Sequence, residues 1–149
     1  MKNSDYFRCF EIISKHSHVY LDNVLEKYGL NHCYRVYIKK IYENPGISRD
    51  VLKNYTHVHP SNTTRAIDYL AEHGFIEKKV NELDKRICNL YPLDKLKDVY
   101  NDLINCENEW ISKITNGFND EELEEFSRLL NKSQELSSDV IHGGKNGSN

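Results

Sequence analysis

Several features that mark common classes of protein are missing from this chain of 149 residues. No segment approaches the roughly 18 consecutive apolar residues that a membrane span needs, and no apolar run follows the initial Met-Lys. The four cysteines are scattered without a C-x-x-C pair, which argues against a disulfide framework or a zinc knuckle. These absences predict a soluble cytoplasmic protein with reduced thiols, no membrane partner, no metal site and no other cofactor.

Catalytic patterns are also missing. The sequence has no nucleophile paired with a base, no glycine-rich phosphate loop and no paired carboxylates placed for a cleft. We therefore do not expect an enzyme.

The charge is distributed unevenly along the chain. The total of 20 Lys and Arg against 23 Asp and Glu excludes a uniformly basic coat for nucleic acid. Residues 30–92, however, hold 10 basic and 7 acidic side chains, whereas residues 93–149 hold 6 and 12. A net charge of +3 in the middle beside −6 at the end indicates a module that faces a polyanion, carried on an acidic frame.

Apolar residues recur at helical spacing through the first half of the chain. The pattern predicts a long helix from Ser4 to Tyr28 that stops at Gly29, a second helix over residues 32–44, a short third helix capped by Ser48 with Val51 and Leu52 inward, and a fourth that begins at Pro60 and stops at Gly74.

The second half begins with alternating segments. FIEKKV and RICNLY alternate apolar and polar residues on either side of the polar connector NELDK, which predicts a two-stranded hairpin. A fifth helix follows over residues 96–114, and Asn119-Asp120-Glu121-Glu122 resembles an N-terminal capping box for a sixth. The predicted fold is mainly α with a small β-hairpin, and its middle follows the winged helix-turn-helix plan.

In a helix-turn-helix, residues near the start of the second helix reach base edges and phosphates. The candidates here carry hydroxyl, amide and guanidinium groups that suit DNA, and they are Ser61, Asn62, Thr63, Thr64 and Arg65. Taken alone, this segment is equally compatible with an ordinary N-terminal cap followed by a polar helix face.

The charged bend of the hairpin is the second candidate for DNA contact. We expect Arg86 to enter the minor groove, with the carboxylate of Asp84 holding the guanidinium in one orientation. Further contacts to phosphate or base would come from Lys78, Lys79, Asn81 and Lys85. The alternative is a solvated turn with a surface ion pair of little energetic value.

Three segments in order, NPGIS (44–48), PSNTTRAIDYLAEHGFIEK (60–78) and DKR (84–86), resemble the MarR-type winged-helix transcriptional regulators. The resemblance implies a homodimer that reads a pseudo-palindromic double-stranded operator, most often as a repressor. It places Ser61 to Arg65 on the recognition helix, and Asp84 and Arg86 on the family's wing signature. The alternative is a winged-helix module for protein contacts that has no DNA binding.

The resemblance also implies a division of the chain. Residues 1–29 and 93–141 would form a helical dimerisation frame, residues 30–92 the winged helix-turn-helix domain, and residues 142–149 a flexible tail. In one respect the sequence departs from the family, because Pro92-Leu93-Asp94 stands where a Leu-Thr pair usually caps the next helix. The start of the fifth helix is therefore open.

Members of this family commonly respond to a small aromatic or phenolic acid, a peroxide or a metal. For an aromatic effector, the crevice between frame and lobe would be lined by His16, Tyr20, Tyr34, Arg35 and Tyr37. The alternative is that these tyrosines are ordinary core residues.

Redox and metal responses are lower alternatives. Cys9 lies in the first helix, but Phe7 occupies the position where the sensor thiol of the peroxide branch is expected, so Cys9 is predicted to be a buried core cysteine. The nearest metal-binding candidates are His16, His18, His32, Cys33 and Glu107. Since the fifth helix carries no histidine, no metal site is predicted.

Overall fold

The computed structural model describes residues 2–56 and 59–142. The helices are α1 (Asn3–Leu25), α2 (Arg35–Glu43), α3 (Arg49–Lys53), α4 (Pro60–Glu72), α5 (Asp94–Ile114) and α6 (Asp120–His142), and the strands are β1 (Ile47–Ser48), β2 (Ile76–Val80) and β3 (Cys88–Pro92). The predicted class, mainly α with a small β-sheet, is confirmed. The predicted flexible tail lies outside the described residues beyond His142.

The junction after α1 follows the sequence pattern closely. A 3-10 turn, Glu26–Tyr28, continues the helix, and Gly29 then stops it at φ 72°. The hydroxyl of Tyr69 donates to the Gly29 carbonyl at 2.9 Å, and a Cβ at Gly29 would lie only 3.1 Å from that hydroxyl. Both the left-handed backbone and the close contact therefore require glycine at this position.

The short third helix begins as predicted but buries only one of the two residues expected. The Ser48 hydroxyl accepts from the Val51 backbone N–H at 3.2 Å, which confirms the cap. Leu52 is fully buried, whereas Val51 is 46% exposed, so its predicted inward position is wrong. Successive residues point in different directions around a helix, and a helix of 5 residues has only a single turn to press against the core.

The sheet has one strand more than the predicted hairpin. β2 and β3 pair antiparallel from Ile76 opposite Pro92 to Val80 opposite Cys88. The two-residue strand β1 adds to the other edge of β3, giving the order β1-β3-β2. Two residues are too few to show an alternating pattern, so the sequence revealed only the turn before them.

The hydrophobic core joins α1 and α5 to the winged lobe. Leu25 from α1 and Leu103 from α5 are both fully buried. They share one cluster with residues of the helix-turn-helix and the sheet, including Ile38, Ile41, Leu52, Ile67, Leu70, Phe75, Leu90, Leu96 and Val99. The chain divides into compact units between Trp110 and Ile111, so the end of α1 and most of α5 belong to the same unit as the lobe.

Two sets of ion pairs and hydrogen bonds hold α5 in place within this first unit. Glu107 pairs with Lys39 at 2.8 Å and also with Arg35. Asp102 accepts from Lys27 at 2.6 Å and from the Tyr28 hydroxyl at 2.7 Å. The hydrogen bond from Lys27 lowers the pKa of Asp102, and the bond from Tyr28 adds to this effect. These contacts hold α5 against the turn after α1 and against α2.

In the second unit, α6 begins with the predicted capping box. The Asn119 side chain accepts from the Glu122 N–H at 2.9 Å, and the Glu122 side chain accepts from the Asn119 N–H at 3.0 Å. None of the described α6 side chains is buried, although the helix carries four leucines that are 42% to 55% exposed. No helix in the described ranges is long and apolar enough to cross a membrane.

Candidate nucleic-acid interface

The N-terminus of α4 presents the polar side chains expected for a recognition helix. Pro60 is the first helical residue, and the His59 ring caps the helix by accepting from the Ser61 N–H at 3.3 Å. Ser61, Asn62 and Arg65 are exposed, and the half-buried Thr64 donates its hydroxyl to the Pro60 carbonyl at 3.3 Å. The helix dipole favours an anion at this end.

Thr63 is the exception among the predicted recognition residues. It is fully buried, with its hydroxyl 3.1 Å from the Thr56 hydroxyl and 3.3 Å from the Tyr37 hydroxyl. It therefore has no surface to offer DNA, which corrects its predicted contact. The helical repeat explains this, because Thr63 lies one turn before Ile67 on the face that packs against the core. Its hydrogen bonds link α4 to α2 and to the loop before α4.

The wing is a turn whose shape is fixed by its own side chains. The Asn81 side chain accepts from the backbone N–H groups of Leu83 at 2.9 Å and Asp84 at 3.1 Å. The Asp84 carboxylate accepts from the Arg86 backbone N–H at 2.9 Å. By accepting these backbone N–H groups, the two side chains hold the bend in shape, as backbone hydrogen bonds hold the strands.

This geometry corrects the predicted role of Asp84. Its carboxylate accepts from the Arg86 backbone and, among the described residues, makes no ion pair with the guanidinium, so it shapes the bend that carries Arg86. Lys85 and Arg86 are both exposed and, within the described part of the chain, neither has an ion pair. They are therefore available to an external anion.

The two lysines of β2 are placed differently. Lys78 pairs with Asp68 of α4 at 2.8 Å, and Lys79 pairs with its neighbour Glu77 at 3.1 Å. Both side chains are exposed, so a phosphate would compete with a carboxylate for each of them. The pair with Asp68 also ties the wing to the recognition helix.

Two further residues, Leu83 and Arg49, were not singled out from the sequence. Leu83, at the tip of the wing, is 99% exposed, but a single apolar residue in a turn carries no pattern. Arg49 opens α3, and its Nε is buried without a hydrogen-bond partner among the described residues. The sequence could have drawn attention to Arg49, because this basic residue directly follows the Ser48 cap and so lies at the start of a helix.

The five residues predicted to line one effector crevice do not come together. Tyr34 and Tyr37 line a cavity of about 440 Å³ beside α4. His16 and Tyr20 line a separate depression of about 250 Å³ with Trp110. Arg35 lines neither of these cavities and instead pairs with Glu107. The predicted single pocket is thus replaced by two, because Tyr34 and Tyr37 face the recognition helix rather than the end of α1.

The structure also bears on the residues considered for redox sensing and for metal binding. Cys9 is exposed rather than buried in the core, so that prediction is wrong. Across residues 2–56 and 59–142, no group of three or more His, Cys, Asp and Glu side chains is arranged to hold a metal ion. His18 and His32 do meet, but as stacked rings with centroids 4.1 Å apart.

A helix-turn-helix followed by a charged wing defines this chain as a winged-helix protein of the kind found in regulators of transcription. The profile described as "MarR family" matches residues 36–88. The MarR protein from Peptoclostridium difficile DA00132 superposes with a TM-score of 0.83 at 31% identity, over 94% of this chain and 92% of that one. The chain belongs to the MarR family, which consists of transcriptional regulators rather than enzymes.

Two further proteins are similar to this chain. The uncharacterized HTH-type transcriptional regulator YybA of Bacillus subtilis (strain 168) is 39% identical over 98 residues, and the match spans 65% of each chain, just under two thirds of the relative. A putative MarR-family regulator from Listeria monocytogenes, solved with a 26mer DNA, is similar with a TM-score of 0.82 at 24% identity over 100% of this chain and 98% of that one.

Proposed function

We propose that this protein is a homodimeric, sequence-specific DNA-binding regulator of transcription, and that it acts as a repressor. In this proposal α4 enters the major groove of a pseudo-palindromic operator while the wing of each subunit enters the adjacent minor groove. The observation that carries the proposal is the combination of exposed Ser61, Asn62 and Arg65 at the α4 N-terminus with Lys85 and Arg86 on the wing, which are exposed and have no ion pair among the described residues. The DNA complex of the Listeria relative, which shares the fold, supports it.

The two surfaces would have different tasks. Arg65 and Asn62 carry the groups that pair bidentately with guanine and adenine edges in the major groove, so they would select the sequence. Arg86 projects from a narrow turn, which suits the minor groove, where the negative potential is concentrated. Ser61, Thr64 and Lys85 would contact phosphates and fix the register.

The homodimer is supported by the apolar side chains that the single chain leaves exposed. Phe7 is 67% exposed and Phe10 57% exposed on α1, and the α6 leucines add a second apolar surface. Apolar patches of this kind usually mark an interface, and a symmetric partner is the commonest solution. A twofold dimer would present two copies of α4 and of the wing to a palindromic site.

DNA binding is tested by fluorescence anisotropy of the full-length protein with labelled fragments of its own promoter region. We expect tight binding that weakens steeply with added salt. Arg86→Ala should weaken operator binding by about 1–3 kcal/mol per site, whereas Arg65→Ala should mainly reduce the preference for operator over random DNA. Lys97→Ala, which removes an exposed charge from α5, is the control and should change little.

Two outcomes would contradict the proposal. If no salt-dependent binding to promoter fragments or to a selected DNA pool is found, the chain is a winged-helix protein with another partner. If Lys97→Ala weakens binding as much as Arg86→Ala, the wing has no special role and the affinity reflects general charge.

A further inference from the structure

A cysteine and a histidine in the 3-10 turn His32–Tyr34, just before α2, lie next to an aspartate of α1. Cys33 Sγ is 3.6 Å from His32 Nε2, and His32 Nδ1 is 2.9 Å from Asp22 Oδ1. The backbone N–H of His32 also donates to Asp22 at 2.6 Å. The ring of His18 stacks on that of His32 at an interplanar angle of 6°. The imidazole is therefore fixed in both position and plane.

The charge on Asp22 sets the tautomer of this histidine. Partial burial acts to raise the pKa of Asp22, but the hydrogen bonds from the His32 backbone and ring outweigh it, so the pKa is lowered. An ionised carboxylate facing Nδ1 favours the tautomer that carries its hydrogen there. The lone pair of Nε2 then points to the Cys33 thiol. A nucleophile, a base and a group that orients the base are the three parts of an activated thiol.

The thiol opens into the cavity beside the recognition helix. Cys33 is exposed, and it lines the volume of about 440 Å³ together with Tyr34, Tyr37 and Tyr69. The far wall is formed by α4, through Asn62, Arg65 and Ala66. The size falls in the range of small-molecule sites, and the tyrosine rings suit a flat aromatic body.

We propose that Cys33 is a covalent modification site for aromatic Michael acceptors, that is, α,β-unsaturated carbonyl compounds with an aromatic group. His32 Nε2 accepts the thiol proton, and the sulfur lone pair forms a bond to the β-carbon. The C=C electrons move onto the carbonyl oxygen as an enolate, and the His32 imidazolium returns the proton to the enolate. No oxidant, reductant or leaving group takes part, and His32 ends as it began.

The adduct would act on the recognition helix. Because Asn62 and Arg65 line the same cavity, an aromatic group attached to Cys33 occupies the space against which they rest. Their side chains would be displaced from the positions that we assign to base contact. This consequence rests on the proposed function, whereas the reactivity of Cys33 does not.

The test of reactivity uses glutathione as the reference thiol, because Cys9, the other thiol exposed in the single chain, lies between Phe7 and Phe10 on the α1 surface that we assign to the dimer interface. Full-length protein is treated with limiting N-phenylmaleimide, and the rate at each cysteine is followed by peptide mass spectrometry. A free thiol is only a few per cent ionised near pH 7, so the gain from a base has a ceiling of roughly 30-fold. We expect Cys33 to react about tenfold faster than glutathione in the same solution, within that ceiling.

His32→Gln tests the base, because glutamine can still hydrogen bond to the sulfur but cannot accept its proton. We expect the Cys33 rate to fall to that of glutathione, and its pH profile to shift to that of an unassisted thiol. Equal rates for wild-type Cys33 and glutathione, or a Cys33 rate that His32→Gln leaves unaltered, would overturn the proposal.

Ala66→Leu tests the cavity by filling it from α4. We expect this variant to slow N-phenylmaleimide at Cys33 by several-fold and to leave the small acceptor acrylamide unaffected. If both reagents are slowed alike, or neither is, the cavity does not select the aromatic group and that part of the proposal is wrong.

The effect on DNA is measured by anisotropy with the Cys9→Ser protein before and after N-phenylmaleimide. Alkylation should abolish operator binding, and the additional Cys33→Ser change should prevent this loss. If alkylated protein binds as tightly as untreated protein, the link to the recognition helix is refuted. If untreated protein does not bind DNA, the proposed function fails, and the alkylation rates still decide whether Cys33 is a modification site.

Discussion

The helices α4 and α6 are both amphipathic, but of the two only α4 buries side chains in the core of the described chain. In its 13 residues α4 buries Thr63, Ile67 and Leu70. In its 23 residues α6 buries none of the side chains that the structure describes. The apolar face of α4 is thus covered within the chain, whereas the α6 leucines stay exposed, and in the dimer that we propose a second subunit covers them.

Leu130→Glu should have the largest effect, because it attacks the helix that lacks a partner. Leu130 is 46% exposed in the single chain. Burial of a leucine contributes about 1.5–3 kcal/mol and occurs twice in a symmetric dimer, so the dimer Kd should rise by at least about 100-fold. Sedimentation velocity at several concentrations measures this.

The matched control is Leu83→Glu, which makes the same chemical change at a fully exposed wing residue and should leave the oligomeric state alone. A Leu130→Glu protein that remains as dimeric as the wild type would show that α6 is not part of the interface. The contrast between the two helices would then need another explanation.

Leu70→Ala tests the helix that has its partners. Leu70 is fully buried in the core under α4, and its truncation should lower the free energy of unfolding by about 2–5 kcal/mol. Leu83→Ala makes the same truncation at a residue that is 99% exposed, and should change stability by less than about 0.5 kcal/mol. Urea denaturation followed by circular dichroism gives both values. Similar losses of stability for the two variants would contradict the burial of the apolar face of α4 in the core.

The sequence predicted the elements of this fold better than their individual contacts. Helical spacing and the stops at Gly29 and Gly74 located the helices, because these signals are local. β1 was missed because a two-residue strand acquires its structure only by pairing with β3. The role of Thr63 was misjudged for a similar reason, since the chemistry of a threonine suits DNA as well as it suits a buried hydrogen bond.

The candidate site shows the same limit. The order of recognition helix and wing followed from the sequence, but the partner of each charge did not. Lys78 and Asp68 are 10 positions apart in sequence, and only the packing of β2 beside α4 brings them together. The Cys33–His32–Asp22 alignment likewise depends on how α1 runs past the start of α2, which no spacing rule reports.

Thr63→Val sharpens the view of α4 as a helix with two separate faces. The substitution keeps the shape of the side chain but removes a hydroxyl that lies near both Tyr37 and Thr56. The loss of these hydrogen bonds should cost about 1 kcal/mol of stability, while DNA affinity measured well below the unfolding transition should not change. Thr64→Ala should instead lower the DNA affinity and leave the stability unchanged. If Thr63→Val lowered the affinity and Thr64→Ala did not, Thr63 would be a DNA contact after all.

The smallest effect concerns acid stability, and it compares a carboxylate in the first unit with one on α6. Hydrogen bonds from Lys27 and Tyr28 lower the pKa of Asp102 below its ordinary value of 3.8, and a bond from Arg128 lowers the pKa of Glu125 below 4.5. A carboxyl group whose pKa is lowered in the folded state contributes stability that is fully present above its unfolded pKa and is lost as the pH falls through its folded pKa.

Asp102 joins the end of α1 to α5 and is partly shielded, whereas Glu125 forms only an exposed pair within one helix turn. Between about pH 5 and pH 3, the wild type should therefore lose more stability than Asp102→Asn does, and as much as Glu125→Gln does. Urea midpoints across this range measure the difference. Equal pH dependence in all three proteins would show that the bonds of Asp102 to Lys27 and Tyr28 contribute no more to stability than an exposed ion pair within one helix.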